Sequence, residues 1–174
     1  MDPTTNPSVT IEVAGSELRP VIERLAQLER HDLSEFRGSM PDENGLFAYA
    51  RLPLFWEEPG YRAFVIRHRG AVAGFALTRV RAEDGATSIV SFFVVRALRR
   101  TGVGYRAALA LLAERPGPWA IAYQEVNQGA ARFWRRVVTA AVGSQWREER
   151  IPVPAPAPAD LPPDIWLFLD VEPG

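Results

Sequence analysis

Two adjoining runs decide the reading of this chain: Thr87-Ser88-Ile89-Val90-Ser91-Phe92-Phe93-Val94-Val95, and then Arg99-Arg100-Thr101-Gly102-Val103-Gly104-Tyr105-Arg106-Ala107. The first is rich in β-branched and aromatic residues and reads as a strand. The second carries a glycine-bearing turn into a helix that Pro116-Gly117-Pro118 stops. Glycines let the backbone turn sharply and approach a ligand closely. The N–H groups of the first helical turn have no carbonyl partner and point at one spot. A pyrophosphate fits there, held by hydrogen bonds and the positive end of the helix dipole. Arg99, Arg100 and Arg106 add charge for further phosphates.

Working outward, Val9 to Val13 alternates apolar and polar and predicts a strand. Ser16 is a candidate helix N-cap, and Leu18, Val21, Ile22, Leu25 and Leu28 follow at helical spacing. His31 to Phe36 reads as a short second helix, Arg37 to Gly45 as a loop, and Leu46 to Trp56 as a further helix broken by Pro53. Arg62 to Arg69 and Val72 to Val80 form a hairpin about Gly70-Ala71. Trp119 to Gln124 is a strand and Asn127 to Thr139 a helix. Val142 to Val153 and Asp164 to Val171 make a final strand pair. The order is strand, helices, three antiparallel strands, helix, strand, helix, two strands. That is a mixed α/β sheet flanked by helices, not a regular βαβ alternation.

A family resemblance rests on these residues. Arg99-x-x-Gly102-x-Gly104 resembles the [QR]-x-x-G-x-[GA] loop of Gcn5-related N-acetyltransferases (GNAT). Asn127-Gln128-Gly129-Ala130-Ala131-Arg132-Phe133-Trp134 resembles that family's N-x-x-A-x-x-F-[YW] run. Asp32-Leu33-Ser34-Glu35-Phe36 and Val72 to Leu77 look like a bacterial subgroup of predicted acetyltransferases. The likeness spans about residues 8 to 150. It implies the acyl-CoA N-acyltransferase fold, with a predominantly antiparallel sheet. It implies acetyl-CoA or another acyl-CoA as co-substrate, and direct transfer to a primary amine of a small molecule. A protein N-acetyltransferase and a non-catalytic acyl-CoA-binding module are the alternatives. By the same resemblance Phe93, Val94, Val95, Arg99, Arg100, Thr101, Gly102, Val103, Gly104, Tyr105, Asn127, Ala131, Phe133 and Trp134 hold the coenzyme. Glu35, Tyr49 and Trp56 line the acceptor side.

The proton-handling residues depart from the family pattern. Trp134 stands where many members carry Tyr, and an indole N–H is no useful acid. Tyr123 is the substitute acid. Ser91 stands where the resemblance implies an acidic residue, and a Ser there positions a water. Glu35, Glu57, Glu58 and Glu125 are the other candidate bases. Each of these has a structural reading as a packed or solvated side chain.

One competing motif needs weighing. Gly102-x-Gly104-x-x-Ala107 also satisfies the dinucleotide fingerprint, with Glu125 about twenty residues on. Against it, Arg96 to Thr101 separates the loop from its strand, and the preceding strands form a hairpin.

Composition removes other classes. The chain has 174 residues, 20 basic and 21 acidic, and every basic residue is Arg. One domain over residues 1–174 is expected, with 1–7 as a disordered tail and 152–163 as a Pro-rich loop before the last strand. Without Cys there is no disulfide, thiolate ligand or Cys nucleophile. His31 and His68 lack metal-ligand spacing, so no metal is expected. Net charge −1 argues against nucleic acid. No apolar run spans a bilayer and MDPTTNPS is no signal peptide, so no membrane partner and a cytoplasmic location are expected. A homodimer through the last strands is compatible with exposed strand edges.

Overall fold

Period-two runs joined by tight turns build the sheet, and two amphipathic helices close one of its faces. The computed structural model describes residues 8–153 and 161–173. The expected tail, and most of the Pro-rich loop, lie outside the described residues. In chain order the elements are β1 (Val9–Val13), α1 (Arg19–Arg37), α2 (Leu54–Glu57), β2 (Tyr61–His68), β3 (Ala71–Val80), β4 (Thr87–Val94), α3 (Val103–Ala113), β5 (Gly117–Gln124), α4 (Gln128–Val142), β6 (Trp146–Ile151) and β7 (Asp164–Val171). One seven-stranded sheet runs β1-β2-β3-β4-β5-β7-β6. Among the described residues only β4 and β5 are parallel. The expected mixed α/β architecture is present, and it lacks the run of parallel neighbours that a dinucleotide-binding unit is built on.

Three local expectations need correction. Ser16 makes no capping bond and enters a 3₁₀ turn, Ser16–Leu18, that feeds α1. The first two predicted helices are one helix, ended by Gly38 at φ 64°. The predicted Leu46–Trp56 helix is only the single turn of α2. Ahead of it, Asp42 Oδ1 accepts from the N–H groups of Asn44 and Leu46. Gln27 on α1 both accepts from Phe47 N–H and donates to its carbonyl. Side chains that satisfy the backbone in this way compete with helix formation.

The sheet has a core on each face. α1 packs Ile22 and Ala26 against Ala63, Val65, Phe75, Leu77 and Phe93. α3 and α4 pack Leu111, Leu112, Trp134, Val137 and Val138 against Ala76, Ile89, Ile121 and Leu167 on the other. Burying one such aliphatic side chain contributes about 1.5–3 kcal/mol. The edge strand β6 is Trp-Arg-Glu-Glu-Arg-Ile, four successive charges that blunt it against strand pairing.

Two irregularities shape the centre. Leu77 pairs with Ser91 but Thr78 pairs with Ile89, so Val90 is an extra residue, a β-bulge. Side chains alternate along a strand, so without the bulge Ser91 would share the face of Ile89. With it, Ser91 joins Leu77 and Phe93 beneath α1. The second irregularity is a split. β4 and β5 pair only at Thr87–Ile89 and Trp119–Ile121. Beyond that, β4 holds only β3, and β5 holds only β7.

Candidate active site at the strand split

The split leaves backbone groups of β4 without a strand partner. Val95 N–H donates to the Ala73 carbonyl. Antiparallel alternation then turns Phe93 and Ser91 toward β3, and Phe92 and Val94 toward the split. Close packing on the β3 side depends on Gly74, where a Cβ would sit 1.9 Å from the Phe93 carbonyl oxygen.

At the open end of the split lies the glycine loop. Arg100 (φ 64°) and Gly102 (φ 87°) are left-handed, a conformation that concentrates N–H groups on one side. Arg106 N–H is the first of α3 to reach back, to Gly102. Ahead of it Val103, Gly104 and Tyr105 have free N–H groups, as at any helix start. Val103 is fully buried, backbone included, whereas Gly104 and Tyr105 are partly exposed. Gly104 faces the Phe133 ring and the Val94 side chain, each 3.6 Å from an added Cβ. Phe92 packs against Trp134 (5.2 Å) and Phe133 (5.8 Å). Gly104, Phe92, Val94, Phe133 and Trp134 are thus brought together along one wall.

Some predicted ligand residues also have structural duties. Arg99 donates from Nε to the Val94 carbonyl (2.9 Å) and from Nη2 to Asp32. Arg96 donates to the same Asp32 at 2.6 Å. Burial raises the Asp32 carboxyl, but the hydrogen bonds from Arg99 and Arg96 outweigh that and hold it below its ordinary range. Asp32 therefore locks the loop to α1, and Arg100 and Arg106 are both exposed. Thr101 Oγ1 closes the turn on the Leu98 carbonyl. Asn127 Oδ1 caps α4 by accepting from Ala130 N–H, and Tyr105 stacks under Arg136.

The acceptor side differs more from expectation. Trp56 donates Nε1–H to the carbonyls of Ala14 and Gly15, pinning α2 to the end of β1. Glu35 is exposed and makes no hydrogen bond among the described residues. Tyr123 lies on the α4 face and its hydroxyl leans to Glu148 on β6 at 3.5 Å. Because β7 stands between β5 and β6, that hydroxyl turns away from β4. Ser91 lies on the other face, so the two predicted catalytic residues are not brought together. Of the other candidate bases, Glu57 pairs with Arg19 and Glu125 with Arg150, while Glu58 is exposed and makes no side-chain hydrogen bond or ion pair among the described residues.

Tyr49 and Ser91 do meet, with 2.7 Å between their hydroxyl oxygens. The sequence reading missed their third partner. Ser91 Oγ donates to Glu29 Oε2 at 3.0 Å, and Glu29 is only 6% exposed. Burial pushes its carboxyl up to about 7, against the pull of the nearby Arg30 and the hydrogen bonds from Ser91 and the Phe92 N–H. Tyr49 is raised by burial and by Glu29, and Arg30 lies over its ring at 3.7 Å. One signal for Glu29 was present: it follows Ile22 and Ala26 at helical spacing, and those are the other buried residues of α1. Leu28, assigned to the apolar face, is 53% exposed.

Residues 22–138, about two thirds of the chain, match the family described as "Acetyltransferase (GNAT) family". No curated protein matches the chain. Solved structures do. The ribosomal L7/L12 alpha-N-protein acetyltransferase RimL, in complex with coenzyme A, aligns over 98% of both chains with a TM-score of 0.66 and 12% identity. The ribosomal-protein-S18-alanine N-acetyltransferase from Escherichia coli covers 95% of this chain and 96% of its own, with a TM-score of 0.59 and 15% identity. A chimera of the spermidine N-acetyltransferase SpeG from Vibrio cholerae and hSSAT covers 94% and 95%, with a TM-score of 0.62 and 11% identity. Identities this low establish a shared fold.

Proposed function

This chain belongs to the acetyltransferase (GNAT) family, and we propose that it moves an acetyl group from acetyl-CoA to a primary amine of a small molecule. The observation that carries the proposal is the split between β4 and β5 with the glycine loop at its open end. The split is a slot lined by backbone groups without a strand partner and by Phe92, Val94, Phe133 and Trp134, suited to an extended chain of amides and methylenes. The loop and the α3 N-terminus suit a pyrophosphate, and Arg100 and Arg106 supply the cations that Arg99 does not.

Acetyl-CoA is the second substrate and supplies an activated acyl group as a thioester. The Val94 N–H faces the slot and polarises a carbonyl oxygen lodged there, while the Phe92 N–H is held by Glu29. It is fixed before substrate arrives, so no reorganisation is required during reaction. Trp134 is an apolar wall and excludes water rather than moving protons. The acceptor approaches from the α1 side, where Tyr49 is held on Ser91. An aromatic wall there suits a small amine.

The test has two stages. The first is a thermal shift with acetyl-CoA, coenzyme A and NAD on the wild type and on Gly104→Glu. A ligand at about 100 times its dissociation constant adds about 2.7 kcal/mol. Glu is tolerated in the first turn of a helix, so the variant folds but repels phosphate. Stabilisation by the coenzyme A species alone, lost in the variant, is the expected result; stabilisation by NAD alone refutes it. The second stage follows thiol release with spermidine, an aminoglycoside and a short unacetylated peptide. Release with the peptide alone would replace the small-amine acceptor by a protein one.

A further inference from the structure

The Glu29–Ser91–Tyr49 cluster is an anomaly for a purely structural core. A charged side chain this buried is costly unless it is paired and hydrogen-bonded. Glu29 forms no ion pair with Arg30, whose guanidinium lies on the Tyr49 ring instead. Its partners are neutral donors, the Ser91 Oγ hydroxyl at 3.0 Å and the Phe92 N–H. That hydroxyl is displayed on the slot strand only because of the bulge at Val90. Further along the same strand, Val94 offers the N–H assigned above to the acyl carbonyl.

Resting on the function proposed above, we infer that Ser91 relays a proton from the attacking amine to Glu29, and that Tyr49 holds the Ser91 hydroxyl in line. The neutral amine nitrogen forms a bond to the thioester carbon, and the carbon–sulfur bond breaks with its electron pair leaving on sulfur. One amine proton passes to Ser91 Oγ as the Ser91 proton passes to Glu29 Oε2. The thiolate takes a proton from water and Glu29 returns its own to water, so the cycle balances as amide plus free thiol. Glu29 and Tyr49 act through Ser91 and are positioning residues; Ser91 is the group that touches the amine.

The groups that set this proton's position are few. Arg30 and Asp32 lie beside Glu29 on α1, with Asp32 occupied by Arg96 and Arg99. Tyr49 reaches in from the segment before α2, and β4 supplies Ser91 and the Phe92 N–H. A carboxylate poised near neutrality is suited to accept a proton at physiological pH.

The experiment compares the wild type, Glu29→Gln, Glu29→Asp and Ser91→Ala. Acetyl-CoA binding is read by thermal shift and thiol release is followed from pH 5 to 9 with hydroxylamine and the three acceptors named above. The expected result is unchanged acetyl-CoA binding in all four, with kcat lowered about 100-fold in Glu29→Gln and Ser91→Ala. The activity limb near pH 7 vanishes in Glu29→Gln and is retained, displaced, in Glu29→Asp. The amine's own titration appears in every protein and cancels in the comparison. A limb and rate unchanged in Glu29→Gln overturn the relay, as does a wild type that binds acetyl-CoA but releases thiol to no amine. Should Glu29→Gln fail to fold, an undiminished rate in Ser91→Ala overturns it alone. Absence of acetyl-CoA binding is the separate failure, that of the parent function.

Discussion

Glu29→Gln isolates the free energy stored in one buried carboxyl. In the folded chain this group titrates at about 7, raised by burial from 4.5. Between those values the folded state binds more protons than the unfolded state, so stability falls as pH rises. The contribution is fully present below the unfolded value and lost as pH climbs through 7. The separation of the two values corresponds to on the order of 3 kcal/mol, most of it between pH 5 and pH 8. Gln has nearly the same shape, accepts the same Ser91 hydrogen bond and binds no proton. Its carboxamide introduces a fixed cost or gain at every pH. The difference between wild type and variant should therefore shift by about 2 to 3 kcal/mol in favour of the variant from pH 5 to pH 8. Urea unfolding at both pH values measures it, with the slope checked for constancy. Other carboxylates titrate equally in both proteins and drop out. A wild type-to-variant difference that is the same at pH 5 and pH 8 would refute the claim that Glu29 is buried and poised near neutrality.

Two further changes probe the framework. Gly74→Ala places a Cβ 1.9 Å from the Phe93 carbonyl oxygen; forcing β3 from β4 should cost roughly 2–4 kcal/mol in urea unfolding, and no measurable loss would disprove the close approach. Asp32→Asn releases Arg96 and Arg99 from α1. For a partly exposed network this costs about 1 kcal/mol of stability, while calorimetry should show weaker acetyl-CoA binding because the glycine loop loses its anchor; unchanged affinity would assign Asp32 to stability alone.

Local chemistry was legible along the chain. Period-two runs and tight turns announced six strands close to their observed bounds, because each such signal is complete within a few residues. The Arg99–Gly104 turn and the Asn127 block were legible for the same reason. Even there, tertiary contacts reassigned individual side chains: Arg99 is held by Asp32 and Val94, and Asn127 caps its own helix. The Leu46–Trp56 segment misled because Gln27, twenty residues away, satisfies its backbone.

What the sequence by itself determined was the order of elements and the glycine turn at a helix start, where we propose that a phosphate-bearing ligand meets the backbone. Only the tertiary structure decided which side chains surround the reacting groups. A single extra residue, Val90, turns Ser91 from the α4 face to the α1 face. The phase of α1 buries Glu29 and exposes Leu28. A strand placed between β5 and β6 draws Tyr123 away from the slot. A bulge, a helix phase and a strand order are set by the energy of packing the whole sheet, so no short stretch of residues encodes them.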